Sequence, residues 1–203
     1  MDKLFAVATN LKKLEIPEFN EENFFLKPDN DRYDSFLNEV IYKYVDNKDE
    51  LNRHIKVKNI GNNRNFAGVF KNKEIVCIIP KRNNLFDEMI SIHEITHLIN
   101  YYNNQKNGDS ISKEVIPFFN EYEYLSRIHD FYKDYYERYR LYTAIRAAKR
   151  MNSENKDEFL PYIYGYFILS TKKEFYDINS LNKINTKKSL DKSLKAKGYT
   201  FKI

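Results

Sequence analysis

The residue types and spacing that could do chemistry in this chain lie in five consecutive residues, His93 to His97. Two histidines stand four positions apart, and Glu94 directly follows the first of them. On a helix, residues i and i+4 lie on one face a turn apart, so both imidazoles can reach the same tetrahedral zinc ion. Glu94 would then point toward a water on that ion. The pattern predicts a zinc site in a metal-dependent hydrolase.

A zinc site that polarises a carbonyl needs a third protein ligand, usually a carboxylate or another histidine. The next histidine downstream is His129, and Glu114, Glu121 and Glu123 precede it. Glu114 and Glu121 are seven positions apart and therefore share a helix face. A helix that returns antiparallel past the two histidines could present one Glu to the ion and use the second to orient a ligand imidazole. The residues alone leave open which of the two binds the metal.

The motif can act in this way only if it lies on a helix, and its flanks predict one. Apolar residues recur around it at helical spacing, namely Leu85, Met89, Ile92, Ile95, Leu98 and Ile99. The predicted helix covers about residues 84–104.

A hairpin is predicted directly before this helix. Two runs rich in β-branched and aromatic residues, 66–70 and 74–79, are separated by Lys71, Asn72 and Lys73, and Pro80 closes the second run. The lone Cys77 lies in the second run, where it is expected to pack as a small hydrophobe. An extended peptide can add to the exposed edge of such a hairpin through its backbone. The hairpin is therefore the candidate substrate-binding edge.

Most of the remaining chain is predicted to be helical. One helix is expected to be capped by Asn30 or Asp31 and to end at Asp46–Asn47, and another to be capped by Asp109 or Ser110. Further helices are expected from about Tyr122 to Met151 and from Phe159 to about Phe175. The fold class predicted from these patterns is mainly α with a small β-hairpin or sheet, that is, α+β.

Length and composition favour one domain over residues 1–203. The chain carries a net charge of +5, much of it in a Lys-rich C-terminal segment at about 180–203. That segment reads as a solvated terminal helix followed by a short strand at Tyr199–Ile203, rather than as a nucleic-acid-binding arm. With one cysteine, no signal-peptide pattern and no membrane-spanning run, the expected location is the cytoplasm. His54 and His129 are expected at the surface, and the oligomeric state stays open.

One family of zinc peptidases shares several of these features. The segment from Asn84 to Tyr102, followed by Glu114 to Glu121, resembles the catalytic core of the oligopeptidase F and thimet oligopeptidase family. Gly68-Val69-Phe70 is similar to the Gly-Ala-aromatic stretch on that family's substrate-facing strand. Tyr164-Gly165-Tyr166 is similar to its Tyr-Gly-Tyr segment. Together these matches cover about half of the chain, which lacks the family's large helical lobe.

The resemblance implies a zincin-like core of the gluzincin type, with an active-site helix and a returning Glu helix. It implies zinc as the cofactor and His93, His97 and Glu114 as the zinc ligands. It implies that Glu121 contacts a ligand side chain without binding the metal itself. Glu94 would be the general base. Because the link between His97 and Glu114 is shorter than is usual in the family, Glu121 stays an alternative ligand. Tyr166 would stabilise the oxyanion, with Tyr162 possible one turn away.

Three functions remain open at this point. The chain is expected to be a zinc metallopeptidase that hydrolyses peptide bonds in peptides or unfolded segments. It could instead be a regulatory protease specific for one intracellular protein, which would suit a small chain without an enclosing chamber. The third alternative is a non-catalytic metal-binding interaction module. The expected partner is thus a peptide or protein substrate, with no membrane and no nucleic acid involved.

Overall fold

The structure is a computed structural model that describes residues 2–15, 24, 26–58, 66–69, 74–103 and 112–171. These residues form helices and a three-stranded sheet. The helices are α1 (Asp2–Lys12), α2 (Asn30–Phe36), α3 (Lys48–Asn52), α4 (Leu85–Tyr102), α5 (Val115–Ile128), α6 (Phe131–Arg150) and α7 (Lys156–Thr171). The strands are β1 (Ile55–Lys58), β2 (Phe66–Val69) and β3 (Ile75–Pro80). The predicted class, mainly helical with a small sheet, is confirmed.

The chain divides into two compact units, each with its own core. The sheet unit takes its described residues from 20–107 and the helical unit from 1–19 and 108–203. The prediction of a single domain over the whole chain stays a prediction. None of the helices in the described part of the chain combines the length and the apolar character that a membrane span needs.

In the sheet unit, β3 is the central strand. It pairs in parallel with β1, with Ile55 opposite Cys77, and antiparallel with β2, with Phe66 opposite Ile78. The predicted hairpin is thus confirmed as β2 and β3; Phe70 and the three-residue connection to Glu74 lie outside the described residues. Cys77 is fully buried in β3, as expected. Strand β1 was not predicted, although Ile55 to Lys58 alternates apolar and charged residues as a short strand does.

The region before the sheet differs in detail from the prediction. Asp29, rather than Asn30 or Asp31, caps α2 by accepting a hydrogen bond from the backbone N–H of Arg32 at 3.0 Å. The chain continues from α2 through a π-helical turn at Leu37–Ile41 and a 3-10 turn at Tyr42–Tyr44. Asn47 caps the short α3 by accepting from Glu50 N–H. The predicted cap was wrong by one residue because several neighbouring Asn and Asp residues can all serve as a cap.

The helical unit is built on α6, which packs against α1, α5 and α7. A 3-10 turn at Ser112–Glu114 leads into α5, and α7 packs against both this turn and α5. The predicted helix from Tyr122 to Met151 was wrong, because the chain is extended at His129 and α5 and α6 are separate helices. His129 is exposed, as expected, and its Nδ1 accepts the Phe131 N–H at 3.0 Å, which helps to start α6. The Asp109 and Ser110 caps, Phe175 and the Lys-rich segment lie outside the described residues.

Candidate metal centre

Helix α4 holds the two histidines of the motif. It begins after Asn84, whose side chain caps it by accepting from the Asp87 N–H at 3.0 Å. It runs to Tyr102, close to the predicted range of about 84–104, so the predicted helix is confirmed. Its buried apolar residues include Met89, Ile92, Ile95 and Leu98. Helix α4 packs against β2 and β3, which holds it on the sheet.

The imidazoles of His93 and His97 lie together on one face of α4. Their Nε2 atoms are 3.1 Å apart, and the rings meet edge to face with centroids separated by 4.7 Å. Two nitrogen ligands of one tetrahedral zinc ion, each bound at about 2.0–2.1 Å, lie about 3.3 Å apart. The observed separation is close to that value, so this pair fits a shared zinc ion.

Two buried hydroxyl side chains of α4 form hydrogen bonds to backbone carbonyls of the same helix. They therefore need no partner from another element. Ser91 donates to the Asp87 carbonyl and Thr96 to the Ile92 carbonyl, each at 2.8 Å. His93 is 8% exposed and Glu94 is 9% exposed. Burial, with a further contribution from the negative charge of Glu94, raises the pKa of the Cys77 thiol on β3.

Glu114 is the last residue of the 3-10 turn before α5 and is 3% exposed. Its neighbour on α7 is Gly165. A Cβ atom added to Gly165 would lie 3.3 Å from Cβ of Glu114 and 2.7 Å from two ring carbons of Phe118. Glycine is needed here because α7 passes too close to Glu114 and Phe118 to accommodate any larger side chain without movement.

The tyrosines around Gly165 differ in environment. Residues 162, 165, 166 and 169 share one face of α7, so Tyr162 and Tyr166 are next to the glycine that contacts Glu114. Tyr162 is exposed and Tyr166 is half-buried, with the Tyr162 ring centroid 6.4 Å from that of Phe118. Tyr164 is buried and belongs to the core. Both predicted oxyanion candidates are thus on the helix face that carries Gly165, while Tyr164 is not a candidate.

Glu121 has strong partners within the helical unit. Its Oε2 accepts short hydrogen bonds from the guanidinium of Arg140 and from the hydroxyl of Tyr136. Arg140 Nε also donates to the Tyr136 oxygen at 2.8 Å, and that oxygen lies 3.1 Å from the Phe118 carbonyl oxygen. Glu121, Tyr136 and Arg140 are all almost completely buried. The three residues form one hydrogen-bonded cluster that ties α5 to α6.

Sequence reasoning missed Arg140 and Tyr136. Both lie in the segment from Tyr122 to Met151, for which the sequence predicted a helix but no buried polar cluster. Their spacing of four residues puts them on one helix face, and an Arg on a face that carries tyrosines can pack against the aromatic rings. It does not indicate which carboxylate they meet, because that carboxylate is on another helix.

The remaining histidines play no part in these clusters. His54 is half-buried rather than at the surface, with its Nδ1 atom 3.0 Å from the Ile75 carbonyl oxygen and its ring against Tyr102.

Comparisons with protein-family models, with curated proteins and with solved structures found no match to this chain.

Proposed function

We propose that this chain is a zinc metallopeptidase with a zincin-like core of the gluzincin type, resembling the catalytic core of the oligopeptidase F and thimet oligopeptidase family. The observation that carries the proposal is the pair of imidazole nitrogens of His93 and His97, 3.1 Å apart on one helix face. Glu94 follows His93 directly and is nine-tenths buried. Paired histidines with an intervening Glu at this spacing are typical of zinc hydrolases.

The proposed ligands are His93, His97 and Glu114. Together they supply two imidazole nitrogens and one carboxylate oxygen, a donor set that suits zinc in a catalytic site with a position left for water. The contacts of Glu121 with Arg140 and Tyr136 favour Glu114 over Glu121 as the carboxylate ligand. When bound, zinc would lower the pKa of a water molecule toward neutrality and polarise the substrate carbonyl.

The roles proposed for the protein groups follow from their chemistry. Glu94 accepts a proton from the attacking water and returns it to the amine that leaves, so the proton is conserved over the cycle. Tyr166 donates its phenolic hydrogen bond to the carbonyl oxygen as negative charge develops, and Tyr162 is the alternative donor one turn away.

The substrate is proposed to be a peptide or an unfolded protein segment that extends the sheet. Strand β2 pairs with β3 on one side, and no strand of the described residues pairs with its other side. An extended peptide can add there through backbone hydrogen bonds, whatever its side chains. Helix α4 packs against β2, so a segment held on that edge would run beside the helix that carries the histidines.

The test combines zinc analysis with peptide hydrolysis. Purified wild-type protein is expected to bind one zinc per chain and to cleave a quenched-peptide library. Glu94→Gln should keep the zinc and lower kcat by a factor of about 10²–10⁴, the usual contribution of a general base. Glu123→Gln, which alters a partly exposed Glu on α5, serves as the control and should change neither property.

Three outcomes would contradict the proposal in distinct ways. Wild-type protein without stoichiometric zinc would exclude the metal site. Zinc binding without cleavage of any peptide or protein would indicate a non-catalytic metal-binding module. Full activity in Glu94→Gln would remove Glu94 from the role of base. Cleavage of one cellular protein with peptides left intact would support the narrower regulatory protease.

A further inference from the structure

We propose that Arg140 is a positioning residue, which holds the carboxylate ligand Glu114 and the tyrosine face of α7 in place through the ring of Phe118. The inference rests on the proposed function, because it assigns a role to a group that would not itself touch the metal or the substrate. It is carried by contacts within the helical unit.

The first step is the anchoring of Arg140. Its guanidinium bonds to Glu121 and, through Nε, to the hydroxyl of Tyr136 at 2.8 Å. Burial lowers the pKa of Arg140, but the Glu121 carboxylate and the nearby phenols outweigh burial and raise it, so the group stays charged. Since five guanidinium donors lie in one rigid plane, these bonds fix the orientation of that plane as well as its position.

The second step is the contact of that plane with Phe118. The Cζ atom of Arg140 lies 3.9 Å from the centroid of the fully buried Phe118 ring. The Tyr136 hydroxyl, which Arg140 also holds, is 3.1 Å from the Phe118 carbonyl oxygen. Both the side chain and the backbone of Phe118 therefore contact the cluster of Glu121, Tyr136 and Arg140. The attraction between an Arg and an aromatic face is strongest where water is excluded, as it is here.

The third step leads from Phe118 to the proposed ligand. Phe118 lies one helical turn after Glu114, and Gly165 contacts both residues. The Phe118 ring therefore sets how closely α7 approaches the turn that carries Glu114. Tyr162 and Tyr166 move with α7. A shift of the Phe118 ring would thus displace the ligand carboxylate and both candidate oxyanion donors together.

A buried ion pair adds little net stability compared with apolar residues of equal volume, so stability alone gives little reason for Arg140 and Glu121. We infer that the pair of Arg140 and Glu121 acts mainly by fixing the position of the Phe118 ring. A planar group held by two partners can fix the position of a ring more precisely than a flexible aliphatic chain can.

Arg140→Lys tests the inference because lysine keeps the charge but lacks the planar fork and the stacking face. Zinc affinity is measured by competition with a chelator, at a temperature where circular dichroism shows the variant fully folded. We expect affinity to fall about 10–100-fold, the range found when residues that orient metal ligands are replaced. The visible absorption of the Co²⁺-loaded protein should also change, because the ligand geometry is altered.

Arg146→Lys is the matched control. Arg146 lies on the same helix, is exposed and rests over the Tyr142 ring at 5.3 Å, so its replacement should leave zinc affinity unchanged. Tyr136→Phe is the milder second variant should Arg140→Lys fail to fold, and it is expected to weaken zinc binding several-fold. If Arg140 acts through Phe118, then Arg140→Lys should cause little further loss of affinity in a Phe118→Leu background.

The outcomes separate the inference from the proposed function. A folded Arg140→Lys or Tyr136→Phe protein that binds zinc with wild-type affinity and gives the wild-type Co²⁺ spectrum would overturn the inference, even if its stability were reduced. Wild-type protein that binds no zinc, or that binds it equally well after His93→Ala, would overturn the proposed function and the inference with it.

Discussion

Two glutamates seven positions apart in sequence, Glu114 and Glu121, have different surroundings in this protein. Glu121 is held by a guanidinium and a phenol in the middle of the helical unit. Glu114 stands at the turn before α5, beside the one residue of α7 without a side chain. A carboxylate already paired with a buried Arg would have to give up that pairing to bind a metal, which leaves the Arg charge uncompensated at a cost of about 3–5 kcal/mol. This difference is the reason for preferring Glu114 as the ligand.

The two carboxylates are therefore expected to respond differently to the same change. Glu114→Gln should lose more zinc affinity than the about 10–100-fold typical of residues behind the ligands. Glu121→Gln should lower the free energy of unfolding by about 3–5 kcal/mol and keep measurable zinc binding. Zinc titration and urea unfolding distinguish the two variants. A larger loss of zinc affinity in Glu121→Gln than in Glu114→Gln would identify Glu121 as the ligand.

At the scale of the elements, α7 holds together mainly through its packing. It contains Pro161 and Gly165, which both lower intrinsic helix stability. Its buried residues Leu160, Ile163 and Ile168 lie against neighbouring helices of the same unit. Tertiary contact therefore outweighs local preference here, and the same contact explains why a glycine stands between two tyrosines.

Gly165→Ala tests whether this close approach matters. Alanine would favour an isolated helix by about 1 kcal/mol, but here its Cβ would meet the Phe118 ring at 2.7 Å. We expect a net loss of about 1–3 kcal/mol in the free energy of unfolding, as for other overpacked cores. The Phe118→Leu background should relieve the clash, so the double variant should be more stable than the sum of the single changes. A stabilised Gly165→Ala protein would contradict the packing described for α7.

At the scale of the whole molecule, both units bury tyrosine side chains wholly or in part. Burial is the main cause that raises the pKa of Tyr33 and Tyr42 in the sheet unit, in the second case to about 12. Burial, with the Glu121 carboxylate adding to it, raises the pKa of Tyr136 in the helical unit well above its ordinary value. These phenols stay protonated in the folded protein at a pH where the unfolded chain ionises them. Their contribution to stability is therefore complete below the unfolded pKa of about 10 and decreases as pH rises above it.

The free energy of unfolding should accordingly be constant from about pH 7 to pH 9 and fall above about pH 10. Urea unfolding at a series of pH values, with a chelator present to remove metal effects, measures this dependence. Tyr136→Phe should make the decline less steep, while Tyr101→Phe, which alters an exposed ring, should not. A stability curve that is flat to pH 11 would show that these phenols do not ionise on unfolding in the way proposed.

Local patterns in the sequence determined several features. The apolar spacing around His93 predicted a helix over about residues 84–104, close to α4, and the common face of the two histidines. Two runs rich in β-branched and aromatic residues, with a polar connection between them, predicted the β2 and β3 hairpin. These features depend on residues within a few turns or strand positions of one another, so their physical causes are present in a short segment.

Only the tertiary structure decided the rest. The parallel pairing of β1 with β3, the separation of α5 from α6 at His129, and the capture of Glu121 by Arg140 and Tyr136 all depend on groups distant in sequence. The need for glycine at position 165 likewise appears only when α7 meets Phe118. Helical spacing can place two carboxylates on one face, but it carries no information about which partner from another element will reach them, because that choice depends on how the helices pack.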